Sequence, residues 1–411
     1  MNNYLFTKIR QQFDRPTIAD VELAVTQQLN SDKLRFAPGA RIAITSGSRG
    51  VANIARITKA VVDAVKAKDG APFIIPAMGS HGGATAEGQQ EVLASYGITE
   101  EAMGCPIRSS MEVVRVEDHS GLEFPLYMDK HATESDGVIL INRIKPHTNF
   151  HGEYESGLVK MSVIGLGKER LASEIHSYGI YGLKTLLPQA ARSIMATGKI
   201  LLGLAIVENA YDETAIVEAL TPEEILRREP ELLDSAKRMM PRFPLDEIDV
   251  LIVDRLGKNI SGSGMDRNIV GRNKDSGGPE PGSTQIKSIV VTDLTEATHG
   301  NACGIGLATV TTRRLADKVD WDATYMNTVT SGFLESGVLP VIAATDAQAL
   351  EWGLRATYEP RQPKKIVRIT DTLHLSEMYV SVAALEEIKG QIEILGEPVR
   401  MFDEQGALIE F

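Results

Sequence analysis

The stretch RIAITSGSRGVANIARITKAVVDAVKAKDGAPFIIPA, residues 41–77, decides the fold class of this chain. It contains a short apolar run at 41–45, apolar residues at helical spacing over 54–68, and a second apolar run at 71–77. Helical spacing is typical of an amphipathic helix, and short continuous apolar runs are typical of buried strands. The order therefore predicts a βαβ unit with parallel strands and a right-handed connection.

The same order is repeated through the first half of the chain. A loop at 78–85 leads into a predicted helix that Gly97 closes, and apolar runs follow at 137–144 and 199–210. Because these runs are continuously apolar, we expect strands that are covered on both faces. The prediction is an α/β fold with mainly parallel sheets.

A charged helical segment that ends in prolines precedes a new apolar run at 248–254. We therefore predict an N-terminal α/β domain at 1–245 and a second α/β domain at 246–360, with a cleft between them. For the last segment, 361–411, we consider packing back on the first domain. Ligands of such sheets collect beyond the carboxyl ends of the strands.

Composition and charge exclude several classes of protein. A net charge of −12 at pH 7, without a dense Lys/Arg run, argues against nucleic acid as a partner. The two cysteines lie in unrelated contexts, which excludes a disulfide framework and a CxxC-type zinc site. Since we find no secretory signal and no apolar run long enough to span a bilayer, we expect a cytoplasmic protein without a membrane partner.

Three polar residues follow the first predicted strand: Ser46, Ser48 and Arg49. Glycines beside them let backbone N–H groups approach a ligand, and a turn that leads into a helix can bind an anion. Arg49 adds a guanidinium for a phosphate or carboxylate. A purely structural turn is an equally good interpretation, because such turns are common. The glycine spacing of the Walker and dinucleotide-binding motifs is absent, so neither motif is assigned.

His81 follows the second predicted strand, in the sequence GSHGG. Glycines on both sides leave its imidazole little local packing, which favours a functional role over a core role. A side chain that titrates near neutral pH is suited to proton transfer.

The third strand end carries the sequence KPHTNFHGEYESGLVK, residues 145–160. His147 and His151 are candidates for chemistry, although one of them could simply cap or pack. Lys160 has apolar neighbours, so it either extends to solvent or is desolvated and reactive. We interpret Glu153 and Glu155 as charges near the first turn of a helix, where acids complement the helix dipole.

His176 ends the next predicted helix, in the sequence EIHSYG. Histidine in such a position is commonly a C-terminal charge or a core contact, but imidazole is also a common ligand of nickel, copper and zinc. No HExxH sequence or cysteine ligand supports a conventional zinc site. A metal at His176 would need most of its ligands from another group.

Five segments in chain order resemble a known family: SGSRG, GSHGG, IKPHTNFHGEYESGLVK, EIHSYG and, more loosely, GMDRNIVGRNK. On these segments, which extend over most of the chain, the sequence resembles the nickel-dependent lactate racemase family, as a divergent member rather than a lactate racemase proper. Members of that family use a nickel-pincer nucleotide, a pyridinium mononucleotide with two sulfur arms that is joined covalently to a lysine.

The resemblance implies how the cofactor would be held. Lys160 would carry the nucleotide covalently, and His176 would be the one protein ligand of nickel, with the pincer supplying the others. The nucleotide phosphate would bind at Ser46, Ser48 and Arg49. The first domain would therefore be the cofactor-binding domain.

The resemblance also implies an isomerase that racemises or epimerises a 2-hydroxy acid by reversible hydride transfer to the nucleotide. His81 and His147 would be acid/base groups on opposite sides of the substrate, because inversion needs proton transfer from two directions. The second domain would bind substrate, with Lys274 holding its carboxylate. The cofactor would depend on biosynthetic enzymes as partners and would be absent from protein made without them.

The sequence departs from the family pattern on both sides of the site. The segment between His147 and Lys160 is longer, so His151 could replace His147 as a base. The family's Gly-Gly-Arg before the cofactor lysine is here Gly-Leu-Val, residues 157–159. Val-Gly, residues 270–271, replaces a Tyr-Gln pair before the substrate lysine. We infer a substrate larger than lactate, such as a dicarboxylic or sugar acid.

Further substrate contacts are less specific. Arg272 and Lys258 are rivals of Lys274 for the carboxylate, and His299 lies in a stretch of small residues, 294–309, that could form a wall of the cleft. We also consider a homo-oligomer.

Two other functions stay open. One is a metal-dependent hydrolase or lyase without the pincer, with a metal bound by His147, His151 and His176. The other is a non-catalytic protein that binds a nucleotide or sugar acid through the glycine-rich turns and Arg49.

Overall fold

The computed structural model describes residues 4–48, 50–117, 121–148, 150–272, 283–358 and 362–411. These residues form two compact units. The N-terminal unit is Asp14–Met240, and the C-terminal unit combines the residues up to Phe13 with Pro241–Phe411. Among the described residues, no helix is both long and apolar enough to cross a lipid bilayer.

The strands in chain order are β1 (Leu5–Gln11), β2 (Arg41–Ser46), β3 (Ala71–Pro76), β4 (Val113–Arg115), β5 (Tyr127–Asp129), β6 (Gly137–Arg143), β7 (Ile200–Glu208), β8 (Thr214–Leu220), β9 (Glu247–Leu256), β10 (Gln285–Leu294), β11 (Val310–Thr312), β12 (Val341–Ala343), β13 (Ile366–Ile369), β14 (Glu377–Ser381), β15 (Ile392–Ile394) and β16 (Val399–Arg400).

The helices are α1 (Val21–Leu29), α2 (Ile54–Ala67), α3 (Ala86–Ser95), α4 (Glu100–Met103), α5 (Lys130–Glu134), α6 (Leu158–Lys160), α7 (Lys168–Ser177), α8 (Gly179–Tyr181), α9 (Leu187–Ala196), α10 (Pro222–Met239), α11 (Arg267–Val270), α12 (Arg313–Ala316), α13 (Trp321–Ser331), α14 (Asp346–Arg355) and α15 (Val382–Leu385). Single 3-10 turns lie at Gly82–Ala84, Glu296–Thr298, Ile305–Leu307 and Leu334–Gly337, and π-helical segments lie at Met161–Gly165 and Gly182–Leu186.

The N-terminal unit is built on a five-stranded sheet in the order β3-β2-β6-β7-β8. Its strands are parallel except β8, which runs antiparallel to β7. The predicted βαβ unit at 41–77 is confirmed as β2, α2 and β3. Ile42 and Ile44 pack into one apolar cluster and Ala43 into another, so both faces of β2 are covered, as its continuous apolar sequence predicted.

Local sequence fixes the starts of helices α3 and α10. Thr85 precedes α3, and its hydroxyl accepts a hydrogen bond from the N–H of Gly88. Thr221 and Glu224 form a capping box at the start of α10, with Pro222 in the first helical position. Such caps satisfy N–H groups that have no partner within the helix.

The C-terminal unit contains a sheet in the order β12-β11-β10-β9-β13-β14-β1-β15, and β16 also pairs with β1. Neighbours from β12 to β13 are parallel, and the remaining pairs are antiparallel.

This sheet differs from the expected domain division. The segment 361–411, for which we considered packing on the first domain, supplies β13 to β16 of the C-terminal unit's sheet. The described residues up to Phe13, assigned above to the first domain, also belong here, because β1 pairs with β14, β15 and β16. Such pairings join the two ends of the chain, and no local sequence pattern specifies them. The fold is a mixed α/β fold with mostly parallel sheets, as predicted.

Candidate functional site

The candidate residues of the N-terminal unit follow three neighbouring strands. Ser46 and Pro76, the last residues of β2 and β3, are paired in the parallel ladder, and β6 ends beside them at Arg143. The segments after these strands therefore leave the same edge of the sheet. They carry Ser48, His81 and the histidines of the 144–157 loop.

The first two of these segments are joined by polar contacts. The Ser48 hydroxyl contacts Nδ1 of His81, and the Tyr96 hydroxyl donates to the Ser48 carbonyl at 2.7 Å. His81 is exposed, so Ser48 orients a ring that solvent or a ligand can reach. The Ser46 hydroxyl is completely buried and has no hydrogen-bond partner among the described atoms. Arg49 lies outside the described residues.

The loop that carries His81 rests on a buried polar network that sequence reasoning missed. Gln89 donates to the carbonyls of Gly79, at 2.9 Å, and His81, at 3.2 Å. Its amide oxygen accepts from Lys168 at 3.3 Å, and Lys168 pairs with Asp129 at 2.9 Å. Burial lowers the pKa of Lys168, while Asp129 opposes that shift. The sequence offers no local signal for this network, because its members lie on separate elements.

The 144–157 loop is closed by its own backbone and organised by one carboxylate. Lys145 and Ser156 exchange backbone hydrogen bonds of 2.9 and 3.2 Å. Glu155, whose side chain is completely buried, accepts the backbone N–H of His147 at 2.6 Å and lies 3.4 Å from Nδ1 of His151. Its other oxygen lies 2.8 Å from Nζ of Lys237.

Glu155 is therefore not a charge in a first helical turn, as the sequence analysis interpreted it, because α6 begins only at Leu158. Burial alone would raise the pKa of Glu155. Hydrogen bonds from His151, Lys237 and the His147 backbone outweigh burial, so the pKa is lowered. An ionised, acceptor-only carboxylate suits this set of donors.

Lys160 lies in α6, whose first turn is held by a second buried acid. Glu229 of α10 accepts the N–H of Val159 at 2.9 Å. Burial raises the pKa of Glu229 to about 7, and N–H groups of the first helical turn oppose the rise. Gly157 leaves room for this carboxylate, since a Cβ there would stand 2.2 Å from its Oε1.

The residues on either side of α6 contact strand β6 and the segment after β2. The Cε of Met161 would lie 3.3 Å from a Cβ placed on Gly47. Asn142, near the end of β6, donates to the Gly157 carbonyl at 2.8 Å. These contacts fix α6 against the edge of the sheet that carries Ser48.

His176 lies in the last turn of α7 and is exposed. Surrounding protein atoms lower its pKa, and the positive charge of Lys160 lowers it further. Lys160 therefore lies near enough to His176 to act on its ring electrostatically. At neutral pH this histidine is mainly the neutral form, which is the form that binds metals.

No group of three or more His, Cys, Asp or Glu residues that could hold a metal ion occurs in the described part of the chain. His147, His151 and His176 therefore do not form the three-histidine metal site considered above. His176 would bind a metal as a single protein ligand.

In the C-terminal unit, two of the three described substrate candidates are close in the fold. Lys258 follows β9 and His299 follows β10, and the Lys258 N–H donates to Thr298 at 3.1 Å. Arg272 instead donates to the Lys287 carbonyl, near the start of β10, at 3.0 Å. Arg272 therefore lies at the opposite end of that strand. Lys274 lies outside the described residues.

One solved structure similar to this chain is the lactate racemase apoprotein from Thermoanaerobacterium thermosaccharolyticum. The TM-score is 0.52 at 14% sequence identity, and the match covers 90% of this chain and 98% of that one. No protein-family model and no curated protein sequence matches this chain. The similarity establishes a lactate-racemase-like fold.

Proposed function

We propose that this protein is a racemase or epimerase of a 2-hydroxy acid that works with a nickel-pincer nucleotide. The observation that carries the proposal is a shared edge of the sheet, where Ser48 contacts His81 and Asn142 donates to the Gly157 carbonyl directly before the helix of Lys160. Burial lowers the pKa of the His176 imidazole, and the positive charge of Lys160 lowers it further, so the two side chains also interact electrostatically. The likeness in fold to a lactate racemase apoprotein supports the same class of reaction.

The side chains of His176 and Lys160 fit such a nucleotide chemically. His176 offers one neutral imidazole without a cluster of further protein ligands among the described residues, so a metal there would take its other ligands from an organic group. Lys160 is partly exposed. Lys160 would hold the nucleotide, His176 its nickel, and the turn after β2, with Ser48 and Arg49, its phosphate.

When bound, the nucleotide supplies the acceptance and return of a hydride at the substrate Cα. The protein then has to move the proton of the 2-hydroxyl group from either side of the substrate. His81, oriented by Ser48, would serve one side. His147 or His151 would serve the other, and Lys274 would hold the carboxylate.

The substrate would be larger than lactate, with dicarboxylic and sugar acids as the classes to test. Val270 is buried and Gly271 ends α11 in a left-handed conformation, so neither residue offers a polar or aromatic contact to a small substrate. Lys258, with His299 near it in the fold, donates from its ammonium to the Gly262 carbonyl and the Asn327 amide oxygen, so it would bind a second polar group of the substrate by exchanging one of these contacts.

The test is intact-mass measurement of protein co-produced with the cofactor-biosynthesis enzymes. Wild type and the control Lys59→Ala, on the exposed face of α2, should carry an adduct that Lys160→Ala lacks. His176→Ala should keep the adduct and lose nickel. Loaded protein is then incubated with dicarboxylic hydroxy acids and sugar acids, and the configuration at Cα is followed by chiral chromatography.

An unmodified wild-type mass under these conditions would contradict the proposal. So would inversion of the substrate at an unchanged rate by Lys160→Ala. Either result would favour a function without the nucleotide.

A further inference from the structure

We propose that His151, rather than His147, is the proton carrier of the 144–157 loop, and that Glu155 is the positioning residue that holds its ring. The inference rests on the proposed function, because that function requires a second proton carrier opposite His81. It adds to that function an assignment between two histidines and an acid that acts through one of them.

The two histidines use Glu155 in different ways. His147 offers its backbone N–H to Oε2 at 2.6 Å, while its ring packs on Phe150 with ring centroids 4.5 Å apart. His151 instead presents ring Nδ1 to the same carboxylate oxygen at 3.4 Å. The carboxylate therefore fixes the main chain at the first histidine and the imidazole at the second.

A carboxylate at Nδ1 has two consequences for His151. It favours the neutral tautomer with the proton on Nδ1, which places the basic lone pair on Nε2. It also stabilises the imidazolium that forms when Nε2 takes a proton, as the acid of a catalytic triad does. A histidine held in this way is a more effective base than one whose ring is packed on an aromatic side chain.

The surroundings of Glu155 keep it ionised. Its side chain is completely buried, Lys237 of α10 lies 2.8 Å from Oε1, and the Gly152 N–H donates to the same oxygen at 3.3 Å. From the π-helical segment at 182–186, Lys184 packs its aliphatic stem near Gly152. His151 thus has a carboxylate beside it on its own loop, with the charge of Lys237 on the far side of that carboxylate.

The first experiment uses protein without cofactor, so it is independent of turnover. Nitrogen NMR of the histidine rings is followed against pH in wild type, Glu155→Gln and the control Glu153→Gln, whose carboxylate is exposed. His151→Gln and His147→Gln assign the signals. We expect Glu155→Gln to reduce the fraction of neutral His151 rings that carry the proton on Nδ1, because the carboxylate that accepts it is gone. A change confined to His147, or no change at either ring, would overturn the dyad.

The second experiment uses cofactor-loaded enzyme. His151→Gln should reduce kcat by about 100-fold or more, the scale of a lost acid/base group, and His147→Gln at least tenfold less than that. Glu155→Gln should lower kcat with little change in KM, whereas a merely structural role would change both constants, and Glu155→Asp should recover part of the lost kcat. The reverse order of the two histidine variants would overturn the assignment.

The failures of the two proposals are distinguishable. If wild type carries the adduct and inverts a substrate, but His151→Gln is as active as wild type, only the assignment of His151 fails. If wild type carries no adduct and inverts nothing, the proposed function fails and the proton-carrying role with it. The NMR titration still decides whether Glu155 holds His151. Thermal unfolding of each variant identifies any that is simply misfolded.

Discussion

Glu229 is a buried acid whose protonation is linked to folding. Its pKa of about 7 in the folded protein exceeds the ordinary value of 4.5, so between these pH values the folded state binds the proton more tightly than the unfolded state. Its contribution to stability is therefore complete below about pH 4.5 and is lost as the pH rises through about 7. The cause is burial, which penalises the charged form.

We predict that Glu229→Gln removes this dependence. We compare the free energies of unfolding of wild type and variant as the pH rises. Their difference should fall by about 1.4 kcal/mol per pH unit between about pH 4.5 and 7, and should stay constant above that range. Urea unfolding at a series of pH values measures it, with Glu231→Gln, more exposed on the same helix, as the control. Parallel curves for wild type and Glu229→Gln would contradict the prediction.

Single residues differ in how far the sequence could predict them. His81 and the 144–157 loop could be placed at one edge of the sheet, because parallel neighbours end at the same edge and the strand runs are visible. No sequence pattern connects Glu229 with the helix of Lys160, because Glu229 accepts the backbone N–H of Val159, which is 70 positions away. Gln89 and Lys168 look equally ordinary in sequence, and only long-range packing makes them supports of the His81 loop.

At the scale of elements, α6 depends on the absence of a side chain before its first residue. Gly157 is extended, at φ −177°, so its backbone conformation does not require glycine. The requirement comes from Glu229, whose Oε1 would lie 2.2 Å from a Cβ at this position. The middle of α10 and the start of α6 therefore share one small space.

We predict that Gly157→Ala destabilises the protein by about 1–3 kcal/mol, the usual range for overpacking a filled interior. The double variant Gly157→Ala/Glu229→Ala should lose less than the sum of the two single variants, because the clash is removed. Chemical unfolding measures both. Gly50→Ala, with nothing within 4 Å of its Cβ, is the control. Additive losses would show that the two residues do not compete for space.

The start of α6 also shows where sequence-based boundaries failed. Acidic residues at 153 and 155 resemble a helical N-terminus, but the Lys145–Ser156 bridge and the contacts of Glu155 keep the chain in a loop until Leu158. The start of α10 is different, because Thr221 caps it locally and, among the described residues, no long-range contact holds the chain in a loop there. The charged helix predicted before the second domain is confirmed as α10.

At the scale of the whole molecule, apolar runs were enough to predict an α/β fold with mostly parallel sheets. They could not show that the C-terminal unit takes β1 from the other end of the chain. Phe6 pairs with Ser381 in β14 and also with Val399 in β16, so β1 lies between parts of the tail. Phe6 and Ile9 are completely buried, which makes β1 part of that unit's interior.

This arrangement predicts which fragments fold. Asp14–Met240 contains every strand of its own five-stranded sheet, so it should fold alone. Pro241–Phe411 alone should not unfold cooperatively, because β14, β15 and β16 lose the strand that pairs with all of them. Joining residues 1–13 after Phe411 through a short flexible linker should restore folding, since Lys8 lies 5.0 Å from the Phe411 ring.

Circular dichroism and thermal unfolding of the three fragments measure this, with the joined fragment carrying Phe6→Asp and Ile9→Asp as the control. Cooperative unfolding of Pro241–Phe411 without β1 would show that the strand is dispensable.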